Sequence, residues 1–522
     1  MSLQAPAGAA RGASLRPRMP LWADLLAMAA LGALQTLSFV HTEAWWLQWA
    51  AVGLLAWRVG RASPKRAAAL GWAFGCAWLL AGTWWLFISL HRYGGLPAWL
   101  AAAAVFMLCA LLSLYLAAAM AAFARWRNPD GHHSGRDALL FAGMWMLAEL
   151  ARAIIFTGFP WVAAGYAHVD GPLGALAPWV GVYGIGFVAA LLAAWLVFSI
   201  GAAPRRRSLW LRPLAAIALT LAAGWAGPPS FTQPSGTLSV TLIQGNIPQD
   251  EKFAAERQGA ALLWHIDALM AAQTDLVIAP ETAIPLLPQQ LPAGLWDGLA
   301  DHFTRSRTHA IVGVPLGDDD AGYTNSAVGF APGRSAYRYD KHHLVPFGEF
   351  IPTGFKWFTR MMNIPLGDFN RGPLTAPSFV VNGERVAPNI CYEDLFGEEL
   401  AARFTQPASA PTIFANISNI GWFGDSIAVD QHLHLSRLRT LEFQRPMLRA
   451  TNTGATAVID HRGVVRHWLP PFQRGVLTGS VQGRSGLTPF AWWAGAFGLW
   501  PLIGLAAAVL AWCALGALKA RP

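Results

Sequence analysis

The sequence predicts a membrane α-helical bundle of about eight spans carrying one exterior α/β domain, and three observations carry that prediction. Of 522 residues, 54% are hydrophobic and only 13% charged, against about 25% charged in ordinary soluble domains. Apolar runs recur near 21–40, 45–57, 67–90, 97–124, 138–156, 175–203, 211–226 and 490–518, most reaching the roughly 20 residues that cross a bilayer as a helix. Between the last two runs the texture changes to short strand-like segments alternating with helical ones.

The basic residues orient the spans. They collect in alternate connections: Arg11, Arg16 and Arg18 before the first span; Arg58, Arg61, Lys65 and Arg66 between the second and third; Arg125, Arg127 and Arg136 between the fourth and fifth. Arg205, Arg206, Arg207 and Arg212 lie between the sixth and seventh, and Lys519 and Arg521 end the chain, whereas the intervening short loops hold only Arg92. Basic residues mark short cytoplasmic loops, so both termini are expected in the cytoplasm and the long segment before the last span outside. The first run is too long for a signal-peptide core and is followed by further spans, so it is expected to remain in the membrane. The expected organisation is a disordered cytoplasmic arm (1–20), a seven-span bundle (21–226), an exterior catalytic domain (227–489), a C-terminal transmembrane helix (490–518) and a cytoplasmic tail (519–522).

That topology accounts for the net charge of +9. Residues 227–490 hold 20 Lys plus Arg and 23 Asp plus Glu, a net of −3, so the excess positive charge lies in the membrane-associated part. A nucleic-acid partner therefore loses its main support. Cys76, Cys109 and Cys513 fall in apolar runs, where small apolar packing explains them. No CxxC occurs, so neither a zinc site nor a disulfide framework is indicated. Cys391 alone lies in the exterior domain, and an unpaired thiol in an oxidising compartment calls for a function.

Within that domain, strand composition recurs at 237–247, 274–283, 309–317, 324–331, 384–393, 411–419 and 454–460, with helical patterns at 254–273 and 430–446. Such alternation predicts a buried sheet with helical cover. Three chemical groups sit at strand ends, where a rigid sheet holds reactive side chains beside adaptable loops. Glu281 follows LVIAP, Lys341 opens a strand-like stretch with Glu349 eight residues on, and Cys391 ends VAPNI. A thiol needs a neighbouring base, which Glu281 supplies. Glu393, Asp394, Glu398 and Glu399 crowd Cys391 with like charge; Lys341 offsets it and can donate to a developing oxyanion. The Tyr392 backbone N–H is a natural second donor.

The flanking residues sharpen this. Glu281 in APETAIP, Lys341 in YDKHHLVPFGEF and Cys391 in NICYEDLF resemble the Glu–Lys–Cys triad of the nitrilase superfamily. With ISNIGWFG at 417–424, MLRATNTG at 447–454 and the apolar runs, the chain resembles bacterial apolipoprotein N-acyltransferases over nearly its whole length. The resemblance implies a nitrilase-like α-β-β-α sandwich on the periplasmic face of the bacterial inner membrane. It implies acyl transfer from a phospholipid, with phosphatidylethanolamine the expected donor, to a diacylglyceryl apolipoprotein. Glu281 is then the base, Lys341 the oxyanion-stabilising cation and Cys391 the acyl-carrying nucleophile, with Glu349, Tyr392 and Glu393 in support. No cofactor and no metal is implied. Phe253 stands where the family often has tryptophan, so packing near the pocket is expected to change. The alternative is a membrane-tethered amidase or nitrile hydrolase, in which water replaces the amine; a catalytically dead scaffold or transporter fits the complete triad and the nearly charge-free spans less well.

The 351–372 segment is apolar for an exterior loop, with Trp357, Phe358, Met361 and Met362. A lid over the acyl chain, joined by Trp422, and ordinary packing on the sandwich are both open readings. His342 and His343 complete no metal spacing, and His432 and His434, two apart, point to different helix faces. Arg437, Arg439, Arg445 and Arg449 fit either a phosphate site or a solvated or salt-bridged helix face. Asn416, Ser418 and Asn419 are expected to shape a loop, and Glu149 and Arg152, at i, i+3, either to pair structurally within a span or to guide a lipid headgroup.

Overall fold

The computed structural model describes residues 19–128, 134–202, 208–252, 255–351 and 368–519. Nearly all of the N-terminal arm, Phe253, and the segment bearing Trp357, Phe358, Met361 and Met362 lie outside the described residues.

The apolar runs form helices Leu21–Gln35, Trp45–Val59, Pro64–Thr83, Ala98–Trp126, Ser134–Ile154, Ala177–Ala202 and Ser208–Trp225, with Pro489–Phe497 and Trp500–Lys519 after the α/β domain. Eight spans are expected, and each of the eight apolar runs is helical. Among the described residues four helices are long and apolar enough to cross a membrane, or up to six if each bent pair is one span. Hydropathy counts apolar runs without seeing their breaks. The third run bends by 62° after Thr83, and the last bends by 88° between Phe497 and Trp500, where Gly498 adopts a positive φ of 57°. The helix at 45–59 is only 15 residues long, and the apolar stretch Trp210–Trp225 is likewise short.

Small residues let the helices approach, as is usual where lipid offers no hydrophobic drive. Gly71 and Gly75 present a GxxxG face to the Ala98–Trp126 helix: a Cβ on Gly71 would lie 2.7 Å from Met120, and one on Gly75 3.1 Å from Ser113. The bundle's buried charges are paired. Asp24 accepts from Arg58 and Arg66. Arg152 sits 3.7 Å from Glu149 and donates to the carbonyls of Phe159 (2.8 Å) and Trp161 (2.6 Å), while Glu149 accepts from the Ala164 N–H at 2.7 Å. The pair thus staples the loop after its helix, in line with the structural reading.

The α/β domain has two six-stranded sheets. The first holds β1 (Thr232–Gln244), β2 (Leu276–Ile278), β3 (His309–Asp318), β4 (Gly322–Phe330), β5 (Tyr337–Asp340) and β12 (Gly475–Gly486), in the order β12-β1-β2-β3-β4-β5. The second holds β6 (Phe379–Val381), β7 (Glu384–Ile390), β8 (Ile413–Ser418), β9 (Met447–Thr451), β10 (Ala457–Ile459) and β11 (Val465–Trp468), in the order β11-β10-β9-β8-β7-β6. Each centres on three parallel strands, β1-β2-β3 and β7-β8-β9. Leu238, Val240, Ile278, Val386, Ile390 and Leu448 fill the space between the sheets. Helices Ala255–Met270 and Leu295–Arg305 cover the first sheet through Ile266, Leu269, Leu299 and Phe303. Gly397–Ala401, Ala428–Phe443 and Pro489–Phe497 cover the second through Leu400, Phe443, Phe490 and Ala494. This is an α-β-β-α sandwich.

The Ala428–Phe443 helix belongs to two cores at once. Phe443 packs on the second sheet, whereas Leu435, Leu438 and Leu441 join the core of the membrane bundle. Polar links fix the join: the Gln431 side-chain carbonyl accepts from the indoles of Trp85 (3.1 Å) and Trp161 (2.8 Å), and Glu442 accepts from the Val182 N–H at 2.8 Å.

Overpacking a tight interface costs about 1–3 kcal/mol. Gly75→Leu is expected to lower the thermal midpoint in detergent, whereas Gly504→Leu, with no atom within 4 Å of its added Cβ, leaves it unchanged.

Candidate active site

Three strand ends converge. Glu281 lies just past β2, Cys391 directly follows β7, and Lys341 directly follows β5, so the lysine ends a strand rather than opening one. Glu281, Lys341 and Glu349 are all buried. The Lys341 ammonium donates to Glu349 Oε1 at 2.9 Å and stands 3.7 Å from Glu281 Oε1. Asn325, on β4, holds the carboxylates apart: its Nδ2 donates to each at 2.7 Å, and its carbonyl accepts the Lys341 N–H at 2.8 Å. The second oxygen of Glu281 accepts from the Asn419 N–H, and that of Glu349 from the Val345 N–H, both at 2.8 Å. Burial pulls the Lys341 ammonium toward neutrality, but Glu349 and Glu281 outweigh it and hold its pKa above the ordinary lysine value. The cation is permanent at neutral pH.

Cys391 is partly accessible and holds a left-handed φ of 52°, a conformation a non-glycine residue keeps only when its surroundings over-determine it. Burial pushes its thiol up to about 12, with Glu281 adding to the rise and Lys341 opposing it. At rest the group is therefore a thiol.

Glu393 does different work. Its oxygens accept from the Tyr339 hydroxyl (2.8 Å), from the N–H groups of His342 (2.7 Å) and His343 (3.2 Å), and from the Ile390 N–H (2.6 Å). It ties the loop after Lys341 to the turn before Cys391. Tyr392 reaches away from the sheets and donates to the Gly158 carbonyl of the bundle at 3.0 Å. Trp422 is half-buried, its ring edge-on to Tyr93 of the bundle at 5.8 Å.

Sequence reasoning missed Lys252 and Asn325, and read His432 only as not chelating with His434. Lys252 is buried, donates to the Glu281 carbonyl at 3.1 Å and to the Thr282 hydroxyl, and is lowered to about 8 by burial, against the pull of Glu281 and Cys391. Asn325 had a signal, a polar residue inside an apolar strand run; Lys252 had none. Asn416 and Asn419 do more than shape a loop: Asn416 donates to the Cys391 carbonyl at 3.2 Å, and the Asn419 N–H to Glu281. The arginine face is not solvated. Arg439, Arg445 and Arg449 are fully buried, Arg439 pairing with Glu442 and Arg449 with Asp394, while Arg437 pairs with Asp170. His342 meets the Gly372 carbonyl (2.8 Å) and His343 meets Glu399 (2.9 Å). No group of metal-ligating side chains occurs among the described residues.

Two facing sheets with glutamate, lysine and cysteine at their strand ends define a carbon–nitrogen hydrolase fold, and residues 239–489 match the carbon-nitrogen hydrolase family. Residues 31–195 match the apolipoprotein N-acyltransferase N-terminal domain. The apolipoprotein N-acyltransferase of Verminephrobacter eiseniae is 54% identical over 478 residues, covering 87% of this chain and 89% of that one. Those of Ralstonia nicotianae and Bordetella bronchiseptica are 48% and 43% identical, covering 88% and 90% of this chain and 88% and 94% of theirs. A solved structure, the carbon-nitrogen hydrolase from Helicobacter pylori G27, is similar over 51% of this chain and 94% of that one, at 14% identity and a TM-score of 0.35. The chain belongs to the apolipoprotein N-acyltransferase family, in the nitrilase superfamily. It is accordingly an enzyme, and a multi-pass protein of the bacterial inner membrane.

Alkylation of Cys391 by iodoacetamide reads the thiolate. With the thiol near 12, the rate is expected to climb about tenfold per pH unit between about pH 7 and about pH 10 without a plateau. Glu281→Gln removes a charge that disfavours the thiolate, so this variant is expected to alkylate faster at a given pH while losing turnover.

Proposed function

We propose that this chain transfers a fatty acyl group from a membrane phospholipid to the N-terminal α-amino group of the diacylglyceryl-cysteine of apolipoproteins, the last step of their maturation. Phosphatidylethanolamine is the expected donor, and the α/β domain faces the periplasm with both termini in the cytoplasm. The observation that carries this reading is the direct join of the nucleophile turn to the membrane bundle, through Tyr392 and Gly158. A hydrolase of soluble amides has no use for that wall; an enzyme with a bilayer-resident ester does. The basic residues of alternate connections support the orientation.

The chemistry is ping-pong. Cys391 Sγ attacks the phospholipid ester carbonyl as Glu281 takes the thiol proton. The oxyanion is met by the Lys341 ammonium and the Tyr392 N–H, donors aimed at charge that develops only in the transition state. Collapse breaks the acyl C–O bond, Glu281 returns its proton to the departing glycerol oxygen, and lysophospholipid leaves. The acceptor amine then attacks the thioester, Glu281 removes a proton from the nitrogen, and the C–S bond breaks to give the amide and a reprotonated thiol. Glu349 keeps Lys341 charged and in place, and Glu393 keeps the nucleophile turn in register.

Purified protein in phosphatidylethanolamine without acceptor is expected to carry a fatty-acyl adduct on Cys391 by mass spectrometry. Hydroxylamine removes it, Cys391→Ala lacks it, and a diacylglyceryl peptide discharges it as an amide. Lysophospholipid release with Cys391 unmodified sinks the nucleophile assignment. Discharge to free fatty acid in the presence of the peptide favours the hydrolase reading.

A further inference from the structure

Behind the nucleophile lies a buried polar cluster that the proposed mechanism does not use: His432, Asp394, Arg449 and Ser436, each almost wholly excluded from solvent. We infer that His432 is a positioning residue for Cys391, a neutral imidazole whose Nε2–H holds the nucleophile's own carbonyl and ties it to the membrane bundle. This rests on the reading of Cys391 as the acyl carrier.

Hydrogen-bond logic gives the tautomer. Arg449 Nη2 stands 3.2 Å from His432 Nδ1, and a guanidinium only donates. Nδ1 is therefore an acceptor, and the ring proton sits on Nε2. That N–H is shared between Asp394 Oδ1 at 3.0 Å and the Cys391 carbonyl at 3.3 Å. Asp394 is held in turn by Arg449 Nη1 (3.3 Å) and by the Ser436 hydroxyl. The Cys391 carbonyl thus has two side-chain donors, His432 and Asn416, on a residue with a φ of 52°. Such restraint is what an unfavourable backbone conformation requires.

The same residue touches the membrane side. The ring of Trp161, whose carbonyl is held by Arg152, lies 5.8 Å from the His432 ring. The neighbouring Gln431 accepts from Trp161 and Trp85. The bundle loop therefore bears on the side chain that sets the nucleophile's carbonyl, so the aim of Cys391 depends on how the α/β domain seats on the bundle.

Three variants separate positioning from mere packing. His432→Phe keeps a ring without the donor, His432→Gln carries an amide N–H to about the Nε2 position, and His432→Asn carries one that stops short. The rate of Cys391 acylation by phosphatidylethanolamine is expected to fall at least about tenfold in the Phe and Asn variants, with KM for the donor unchanged, and to stay within about threefold of the parent in the Gln variant. Iodoacetamide alkylation of Cys391, which needs no lipid, is expected to follow the same ranking. Should the Phe variant fail to accumulate, the Gln–Asn comparison decides. Equal rates in those two, or a change in KM alone, overturn the proposal. A parent that alkylates but never acylates at Cys391 overturns the functional reading instead, while the alkylation ranking still tests the positioning role.

Discussion

The site depends on one buried cation. Lys341 is shut away from water, and an unpaired ammonium there would be strongly destabilising. Glu349 at 2.9 Å supplies the pairing, which leaves Glu281, at 3.7 Å, free of a tight ion pair. The two carboxylates would repel without the lysine and the Asn325 amide between them. That constraint requires the ends of β2, β4 and β5 and the loop at 345–349 to meet at one point. The β4–β5 pairing, with Ser326 opposite Asp340, sets the register that brings Lys341 beside Asn325.

Cys391 comes from the other sheet, so the catalytic geometry is also a statement about how the two sheets are joined. Glu393 makes that joint. Its donors include Tyr339, His342 and His343 from the first sheet's side and Ile390 from the second. A single carboxylate thereby fixes the spacing between the cation and the thiol, and burial pushes its own pKa up even as Ile390, Arg403 and Lys341 pull it back. Tyr392 extends the chain of contacts to the bundle, so adjacent residues of one short turn face three different bodies.

Much of this was legible in the sequence. Every strand-like run coincides with a strand, because buried parallel strands read as continuous apolar segments bounded by turn residues. The β9 run was recognised only as a motif, and β11 and β12 were not read: VRHW and GVLTGSVQGRSG alternate polar and small residues and carry little hydrophobic signal. The triad was visible because its flanks are distinctive. What surrounds it was not, since Lys252, Asn325 and His432 act through partners far away in the chain. The arginines were open between phosphate, solvated and salt-bridged readings, and the salt-bridged one holds, because Ala428–Phe443 is covered on both sides. By length and composition four to six helices qualify as spans, because two apolar runs bend and two are short, features that composition does not record.

That doubly covered helix means the chain has no seam along which the catalytic half could be cut free. Releasing residues 227–489 as a soluble fragment would strip the bundle from Leu435 and Leu438. It would open the Arg439–Glu442 pair to water while removing the Val182 N–H that satisfies Glu442. The Tyr392 hydroxyl would lose the Gly158 carbonyl in the same stroke. The bilayer-embedded half is therefore more than a tether: it completes the interior of the part that carries the chemistry, and the two were shaped as one folding unit.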